Sequence, residues 1–504
     1  SFFEKNFLMM DGLLPIGINP LHPFLLSVGF RIFGVSDAVT IATSGVFYLL
    51  SALVLYFLGK KVFGSLVGFL AALCFIFSPA MLDLAAIGAS ESLFILELIL
   101  AAFLFYKNGK ASCLFGFLTL AAMFLTRPSA IIYIVGFIFF FLAVNFRDRR
   151  QLFRAGGIFL LSWITLEFVI AKFSGPAFYS PLQSFFYGVT RFSPSVAPTE
   201  TLRGGMAGTA FAIKPFLTKF FYNLYNYYKL LPEIFSPYLV GFFALSVFHW
   251  GGERKQNIFK IAVFLMIATT FIAASAGLPL YRYVHPLTPF IYLFAVAEIV
   301  WVVGKIMESK HLGVIPACPE SNLATDSGVI PPLAGFPRMT ASNIATSFLL
   351  IFLFIIGQTI GQIFLDSRYL RKNVNPDKPP VYVKLALILK ENTNPADFVV
   401  TNLDTWGSWY GERKTVWLPI SPEMLKPDGG KPLKIDAVFL TSYKIDDPNH
   451  YLNKEWREAL LSPERASDKF LTENFRPTKK FKIEAGETYE KESGEAVLWE
   501  RIKN

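Results

Sequence analysis

The stretch LTRPSAIIYIVGFIFFFLAVNFRDRR, residues 125–150, decides the class of this protein. Its middle part carries no charge and is rich in Ile, Phe and Val, which suits a helix whose side chains face lipid. A single arginine, Arg127, precedes the apolar run, whereas three arginines follow it between positions 147 and 150. Lys and Arg gather on the cytoplasmic side of membrane helices. The unequal flanks therefore predict a membrane span whose Arg127 end lies outside the cytoplasm.

The whole chain has the same character. Hydrophobic residues make up 53% of its 504 residues and charged residues only 17%, and its mean hydropathy is +0.46. These values are typical of membrane proteins rather than soluble ones. The net charge of +10 does not indicate a nucleic-acid partner, because cytoplasmic loops of membrane proteins collect positive charge for topological reasons. Ten apolar runs are long enough to be spans, near 36–57, 64–80, 89–106, 112–126, 129–146, 155–172, 232–249, 258–277, 286–304 and 345–365.

The loops between these runs alternate in charge, which predicts the topology. One set contains pairs or clusters of basic residues, such as Lys60 with Lys61, and is expected in the cytoplasm. The other set contains lone arginines, Arg127 and Arg282, and is expected outside. The long loop at 173–231 and the C-terminal part fall on that outer side.

Three further segments complete the predicted organisation. Residues 18–34 are too short and too interrupted by Pro for a span and predict an outer surface helix. Residues 306–343 are polar, rich in Pro and Ser, and predict a disordered cytoplasmic loop. We therefore expect a transmembrane domain over 1–365 and a soluble domain over 377–504.

The soluble domain is predicted to be small and of α/β or α+β type. Helices are expected near 381–391 and 451–461, and the β-like runs are 398–401, 415–418, 437–441 and 496–499. The domain has no Gly-rich nucleotide loop. An aromatic stretch at 404–411, DTWGSWYG, could stack on sugar rings, but burial in the domain core is the favoured interpretation.

Two carboxylates stand out on the predicted outer side. Glu91 lies where a loop enters a span, and Asp83 lies on the same short loop, so the two could form an acid/base site. The structural alternative is equally good: Ser90 would cap the helix and Glu91 would complement its dipole. Glu97 lies deeper and on another face of the helix, and we expect a structural partner for it.

Basic and imidazole groups accompany them. Arg127 stands at one outer turn, and Arg282 stands at a second with Tyr281 and His285. Interfacial anchoring would explain one such turn. Two lone arginines on the face poor in positive charge favour a phosphate-binding site instead, because guanidinium suits phosphate. His22 is another candidate, although a simple turn role would explain it. No metal-ligand cluster, nucleotide loop or nucleophile motif occurs in the sequence.

At these positions the chain resembles the GT-C membrane glycosyltransferases, specifically the superfamily of protein O-mannosyltransferases and aminoarabinose (lipid A) transferases. The matching segments follow one another in order along most of the chain: Pro20-Leu-His-Pro-Phe-Leu-Leu26 before Phe33-Gly34, Lys61-Val-Phe-Gly64, Phe77-Ser-Pro79, Gly88-Ala-Ser-Glu91, Leu125-Thr-Arg-Pro128 and Tyr281-Arg-Tyr-Val-His-Pro286, followed by a soluble tail.

The resemblance implies a GT-C-like fold and an inverting transfer of a sugar from a polyprenyl-phosphate carrier to a protein, lipid or glycan acceptor outside the cytoplasm. It implies an acidic general base and positive groups that hold the departing lipid phosphate. Glu91 matches the acidic position of the second outer loop. Arg127, Arg282, Tyr281, His285 and His22 are the matching candidates for substrate contact.

One feature departs from the family pattern. The principal acidic residue of the family follows a first span that precedes the Pro-Leu-His-Pro element, and this chain begins at Ser1 without such a span. We therefore expect an eleventh span upstream and the principal base outside this sequence, so that this chain by itself would be inactive. Within the sequence, Asp11 and Glu4 are the substitutes.

The expected location is the cytoplasmic (inner) membrane, with partners limited to the lipid-linked donor, the acceptor and membrane lipid. No cofactor is implied, and dependence on a divalent metal stays open. Two other classes share the span count. A transporter or flippase would need polar groups at midplane on several helices and an inverted repeat, and no repeat is visible. A membrane-anchored binding module would place its function in the tail.

Overall fold

In a computed structural model, the described residues are 7–8, 21–127, 129–148, 150, 153, 156–162, 164–165, 213–250, 252–276, 281–312, 341–365, 375, 377–419, 421–425, 435–446 and 452–502. Among them, helices dominate the first three quarters of the chain. The named helices of this part are α1 (Leu21–Phe33), α2 (Asp37–Val62), α3 (Ser65–Ile76), α4 (Pro79–Ala86), α5 (Glu91–Lys107), α6 (Lys110–Thr126), α7 (Ala130–Asn145), α8 (Ile213–Ile234), α9 (Pro237–Phe248), α10 (Arg254–Ala276), α11 (Thr288–Leu312) and α12 (Ala341–Leu365).

By length and hydropathy, three described helices could each cross a membrane: Asp37–Val62, Arg254–Ala276 and the stretch His285–Ile306. A bent pair, α3 and α4, would make a fourth. Helices α1, α6 and α7 are apolar but shorter, and much of the run at 155–172 lies outside the described residues. The multi-pass architecture is thus supported, whereas the count of ten spans stays a prediction.

The run at 64–80, predicted as one span, is broken. Helix α3 ends at Ile76, and α4 leaves it at an angle of 57°. The cause is Pro79 at the first turn of α4, which starts a new helix because proline lacks the N–H that would continue the old one. This bend carries Asp83 within α4, so Asp83 is helical rather than part of a loop.

The core of the helical part is centred on α11. Its residues 288–300 are all buried, with Phe290, Leu293 and Val296 at or near zero exposure. Helices α2 and α3 cross closely beside it at Gly59 and Gly68, where an added Cβ on Gly59 would lie 2.5 Å from the Cα of Gly68. Small residues permit such close backbone approach between membrane helices.

The outer loop predicted at 173–231 contains a helix in its last part, α8. Lys219, Asn223 and Tyr227, spaced by four, form its buried face, and Asn223 donates a hydrogen bond to the carbonyl of Ser275 at 2.9 Å. The exposed face is aromatic and includes Phe221 and Tyr228. Because Lys219 and Asn223 are buried, the helix has no continuous apolar run of the kind that marks a span. The sequence pattern therefore did not predict a helix there.

The C-terminal part supplies five strands of a six-stranded sheet of order β1-β3-β2-β4-β6-β5, and β1 comes from near the start of the chain. Strands β1 to β4 are parallel to one another. Strand β6 pairs antiparallel with β4, and β5 pairs antiparallel with β6. The strands are β1 (Phe7–Leu8), β2 (Phe398–Thr401), β3 (Lys414–Trp417), β4 (Ala437–Thr441), β5 (Phe475–Ile483) and β6 (Gly494–Arg501). The helices of this part are α13 (Val381–Asn392), α14 (Asp404–Trp409), α15 (Lys454–Leu461) and α16 (Lys469–Asn474). The predicted small α/β-type arrangement and most of its elements are therefore present.

Both faces of this sheet are covered. Val400, Val438 and Trp499 point to one face and pack against Trp456 of α15. Val399 and its alternating neighbours point to the other face and pack against α13. The near-continuous apolar strands of the sequence follow from this, because a parallel sheet buried on both faces needs apolar residues on both.

The sheet part is joined to the helical part at two places. Strand β1, near the start of the chain, pairs with β3 at Thr415 and Val416. Asp37 at the start of α2 accepts hydrogen bonds from Trp409 Nε1 at 3.1 Å and from the Tyr410 hydroxyl at 2.8 Å. Trp409 and Tyr410 belong to the aromatic stretch at 404–411, so part of that stretch contacts the helices. Trp406 and Tyr410 also pack against the core of the sheet part, as the sequence predicted.

Candidate functional site

The centre of the site is an ion pair between Glu91 and Arg127. Glu91 is the first residue of α5, and Arg127 follows the last residue of α6. The connection between the two helices is short, so they pack antiparallel and their distant ends meet. Glu91 is only 4% exposed, and burial of a charge requires such a partner.

A second arginine approaches from the turn after α10. Residues Tyr281–Tyr283 form one turn of 3-10 helix, and Arg282 is exposed there while interacting electrostatically with Glu91. The ring of Tyr283 lies 5.9 Å from the Arg127 guanidinium and 5.7 Å from that of Arg282. Both arginines are thus within cation–π range of one ring.

Tyr133 fixes this turn against the helices. Its hydroxyl donates to the carbonyl of Tyr283 at 3.0 Å, and its ring, 1% exposed, packs edge-on against Phe94 of α5 at 5.5 Å. Tyr133 and Tyr283 were not among the candidates from the sequence. Tyr283 could have been suspected from its place between two candidates, whereas Tyr133 lies inside an apolar run and gave no signal.

Three more candidates surround the pair. His22 of α1 and His285 interact electrostatically with Glu91, and His285 also with Asp83. His22 Nε2 and His285 Nδ1 are buried with no hydrogen-bond partner among the described residues. Burial lowers the pKa of His22, and the Glu91 carboxylate opposes this only in part. A neutral His22 keeps one ring nitrogen available as an acceptor.

The remaining candidates cannot be placed. Asp11 and Glu4 lie outside the described residues, and of Tyr281 only the backbone is described. The structure therefore brings together Glu91, Arg127, Arg282, His22 and His285 with Asp83 nearby, and we call the first five the Glu91 cluster.

The structural explanation proposed for Glu91 needs one correction. Ser90 has helical backbone angles, and its side chain makes no capping hydrogen bond. Glu91 does lie in the first turn, where the helix dipole favours a negative charge. Its principal partner is nevertheless Arg127 and not the helix terminus.

A second polar group, the His249 cluster, lies toward the other ends of the helices. His249 Nδ1 is 3.1 Å from Glu298 Oε2, Lys260 Nζ donates to the His249 carbonyl at 2.6 Å, and Gln256 donates to the carbonyl of Val62. These residues line a cavity of about 30 Å³, room for about one or two water molecules. That cavity is too small for a sugar or a lipid headgroup.

The described part of the chain contains no group of three or more His, Cys, Asp or Glu that could hold a metal ion.

Part of the chain matches a known protein family. Residues 17–173 match the model of the family described as dolichyl-phosphate-mannose-protein mannosyltransferase. That segment contains Glu91, Arg127, His22 and Asp83. A search of curated proteins returned no match.

Solved structures share the fold. The oligosaccharyltransferase AglB of Archaeoglobus fulgidus, solved with an inhibitory peptide and a dolichol-phosphate, matches with a TM-score of 0.51 at 15% identity, over 84% of this chain and 61% of that one. The same archaeal enzyme tethered to an acceptor peptide matches with a TM-score of 0.50 at 14% identity, over 83% and 60%. This chain thus spans about three fifths of the length of those structures. ArnT of Cupriavidus metallidurans, solved with undecaprenyl phosphate, gives a TM-score of 0.48 at 12% identity, over 88% of this chain and 86% of that one, and is too distant to argue from.

The fold and the site define a multi-pass membrane protein with the GT-C fold. The expected resemblance to the GT-C glycosyltransferases is confirmed: residues 17–173 match the mannosyltransferase family model, and the chain shares the fold of the archaeal oligosaccharyltransferase.

Proposed function

We propose that the chain transfers a sugar, with inversion, from a polyprenyl-phosphate carrier to an acceptor outside the cytoplasm, and that the Glu91 cluster is where the phosphate binds. The observation that carries this proposal is the meeting of two arginines, Arg127 and Arg282, around one carboxylate and one tyrosine ring. A phosphate needs several donors in fixed directions, and guanidinium groups supply them.

The ion pair suggests how the site works. In the structure Arg127 is engaged by Glu91, and a carboxylate paired in this way is a weak base. A donor phosphate brings a negative charge that competes for Arg127. When Arg127 turns to the phosphate, Glu91 regains its basicity and can accept a proton.

The reaction then balances as follows. Glu91 accepts the proton of the acceptor nucleophile, which attacks the anomeric carbon of the sugar. The bond from that carbon to the phosphate oxygen breaks, and the electron pair leaves with the polyprenyl phosphate. Arg127 and Arg282 stabilise the charge that develops on the phosphate. Asp83 and Asp11 are the alternative proton acceptors.

The supporting context is twofold. The family model covers the part of the chain that holds Glu91 and Arg127, and AglB, of the same fold, was solved with dolichol-phosphate. We further propose that the membrane is the cytoplasmic membrane and that the sheet part lies outside the cytoplasm, because the loop charges predict this orientation.

Transfer can be tested with the purified protein, including the span that the sequence predicts upstream of Ser1, in lipid nanodiscs with a panel of polyprenyl-phosphate hexoses and pentoses, by following release of polyprenyl phosphate. The proposal predicts release by the wild-type protein and release slowed by about 10-fold to 100-fold in Arg282→Ala. Glu298→Gln, a change at the buried carboxylate of the His249 cluster, is the matched control and should keep the wild-type rate. Wild-type release in Arg282→Ala and Glu91→Gln would overturn the proposal.

A further inference from the structure

Below the Glu91–Arg127 pair lies a second buried carboxylate on the same helix. Glu97 of α5 is 6% exposed, and its Oε1 accepts a hydrogen bond from the Thr126 hydroxyl at 2.9 Å. Its other oxygen, Oε2, is buried with no hydrogen-bond partner among the described residues. Burying a carboxyl in this way costs free energy, so its presence calls for a reason.

Thr126 itself does not supply that reason. The Thr126 hydroxyl also lies 3.2 Å from the carbonyl of Ala122 in its own helix. That carbonyl could accept the hydrogen bond of the hydroxyl without a partner on α5. The carbonyl of Phe115 does this for Thr119, about two turns earlier in the same helix.

The position of Thr126 does supply a reason. Thr126 is the last residue of α6, and Arg127 follows it directly in an extended conformation, with φ −153° and ψ 137°. The direction of the Arg127 side chain is therefore set where the helix ends. Helix α5 holds that end twice: Glu91 holds the guanidinium, and Glu97 holds the residue before it.

The two contacts differ in what a ligand does to them. A phosphate that draws Arg127 away weakens the contact with Glu91, whereas the contact between Glu97 and Thr126 is 2% exposed on the Thr126 side and out of its reach. Glu97 would keep the end of α6 in place at the moment when Glu91 releases it.

We propose that Glu97 is a positioning residue that sets, through Thr126, the direction in which Arg127 reaches the donor phosphate. This inference rests on the proposed function. It requires only that the Thr126 hydroxyl and an acceptor or donor at position 97 remain bonded, so Glu97→Gln and Thr126→Ser should act like the wild type.

The test measures two quantities on full-length protein in nanodiscs, the Kd for polyprenyl phosphate and the kcat for sugar transfer. Glu97→Leu and Thr126→Val are expected to weaken binding and lower kcat by about tenfold each, because small misplacements of a catalytic contact have effects of that order. Glu97→Gln and Thr126→Ser should restore both quantities to within about twofold. Thr119→Val is the matched control, since it removes a buried hydroxyl from the same helix that bonds only to its own helix, and it should change neither quantity.

The outcomes separate the two proposals. A purely structural role would lower the yield of folded protein in Glu97→Leu and Thr126→Val but leave the Kd of the folded fraction unchanged. If that Kd is unchanged while Arg127→Met weakens binding, the role of Glu97 is overturned and the phosphate site stands. If the wild-type chain binds no polyprenyl phosphate, the proposed function fails and this inference fails with it.

Discussion

The Glu91 cluster and the His249 cluster contain similar residues but differ in how completely those residues are engaged. In the His249 cluster, the imidazole, the Lys260 ammonium and the Gln256 amide each bond to a neighbouring side chain or carbonyl. In the Glu91 cluster, Arg282 is exposed and two histidine nitrogens are buried without described hydrogen-bond partners. A polar network that satisfies itself stabilises the fold, whereas one that leaves groups available is prepared for a ligand.

The largest expected effect is that of Glu91→Gln on turnover. Loss of a general base lowers kcat by about 10²–10⁴-fold. Binding of polyprenyl phosphate should be as tight as in the wild type or tighter, because the carboxylate that competes for Arg127 is gone. Sugar-transfer kinetics and a binding titration on the same preparation measure both. Weaker binding together with unchanged kcat would show that Glu91 has only a structural part.

A smaller effect is expected for Arg282→Met. Arg282 is exposed, so its charge is partly screened, and we expect kcat/KM for the donor to fall by about 10-fold to 100-fold. Arg282→Lys should recover part of that loss, because the charge returns without the forked geometry. Added salt should weaken donor binding by the wild type more than by Arg282→Met. Equal salt dependence in the two proteins would remove Arg282 from the site.

Changing the His249 cluster should affect stability and not chemistry. His249→Ala leaves Glu298 buried without its partner, which costs about 1–3 kcal/mol of unfolding free energy. Thermal unfolding in detergent should therefore occur at lower temperature, while kcat per folded molecule stays that of the wild type. A fall in kcat at unchanged stability would show that the His249 cluster takes part in the reaction, and would contradict the difference drawn between the two clusters.

The smallest effect concerns the contact between the sheet part and the helices. Burial, together with the hydrogen bond to Asp37, raises the pKa of Tyr410 above its usual value. A phenol with a raised pKa stabilises the fold fully below pH of about 10, and that stabilisation is lost as the pH rises further. Tyr410→Phe should lose about 0.5–1.5 kcal/mol at neutral pH and should lack this alkaline dependence.

Hydrogen exchange over residues 404–411 measures that contact. Exchange should be faster in Tyr410→Phe than in the wild type at pH 7, and this difference should disappear above about pH 10. Tyr489→Phe, a change at a tyrosine outside the contact, serves as the control. Identical exchange in wild type and Tyr410→Phe across the pH range would exclude a stabilising role for the Asp37 contact.

The helices were predictable where one property dominated the pattern. Apolar runs predicted α5, α6 and α7 to within two residues of their observed bounds, because lipid-facing helices need little else. The pattern failed at α8, where buried Lys219 and Asn223 interrupt the apolar face. It also failed at β5, an edge strand with Lys479, Lys480 and Lys482, since charged edge residues mask strand alternation.

For the site, the sequence predicted which residues share a membrane face but not which of them touch. Loop charge assigned Glu91, Arg127 and Arg282 to one side, and the structure brings these three together. The contact of Tyr133 with Tyr283 joins residues 150 positions apart. The contact of Glu97 with Thr126 joins two different helices, α5 and α6. Such contacts depend on packing between helices, which a single sequence without repeats does not reveal.

The central claim is that the Glu91 cluster, and not the His249 cluster, binds the lipid phosphate. Each cluster contains one well-buried cation, so Arg127→Met and Lys260→Met form a matched pair for a titration with polyprenyl phosphate in nanodiscs. The account predicts a Kd about 10-fold to 100-fold higher in Arg127→Met and a wild-type Kd in Lys260→Met. If Arg127→Met folds poorly, Arg282→Met should also show a higher Kd. A wild-type Kd in both Arg127→Met and Arg282→Met, or a loss of binding in Lys260→Met alone, would contradict it.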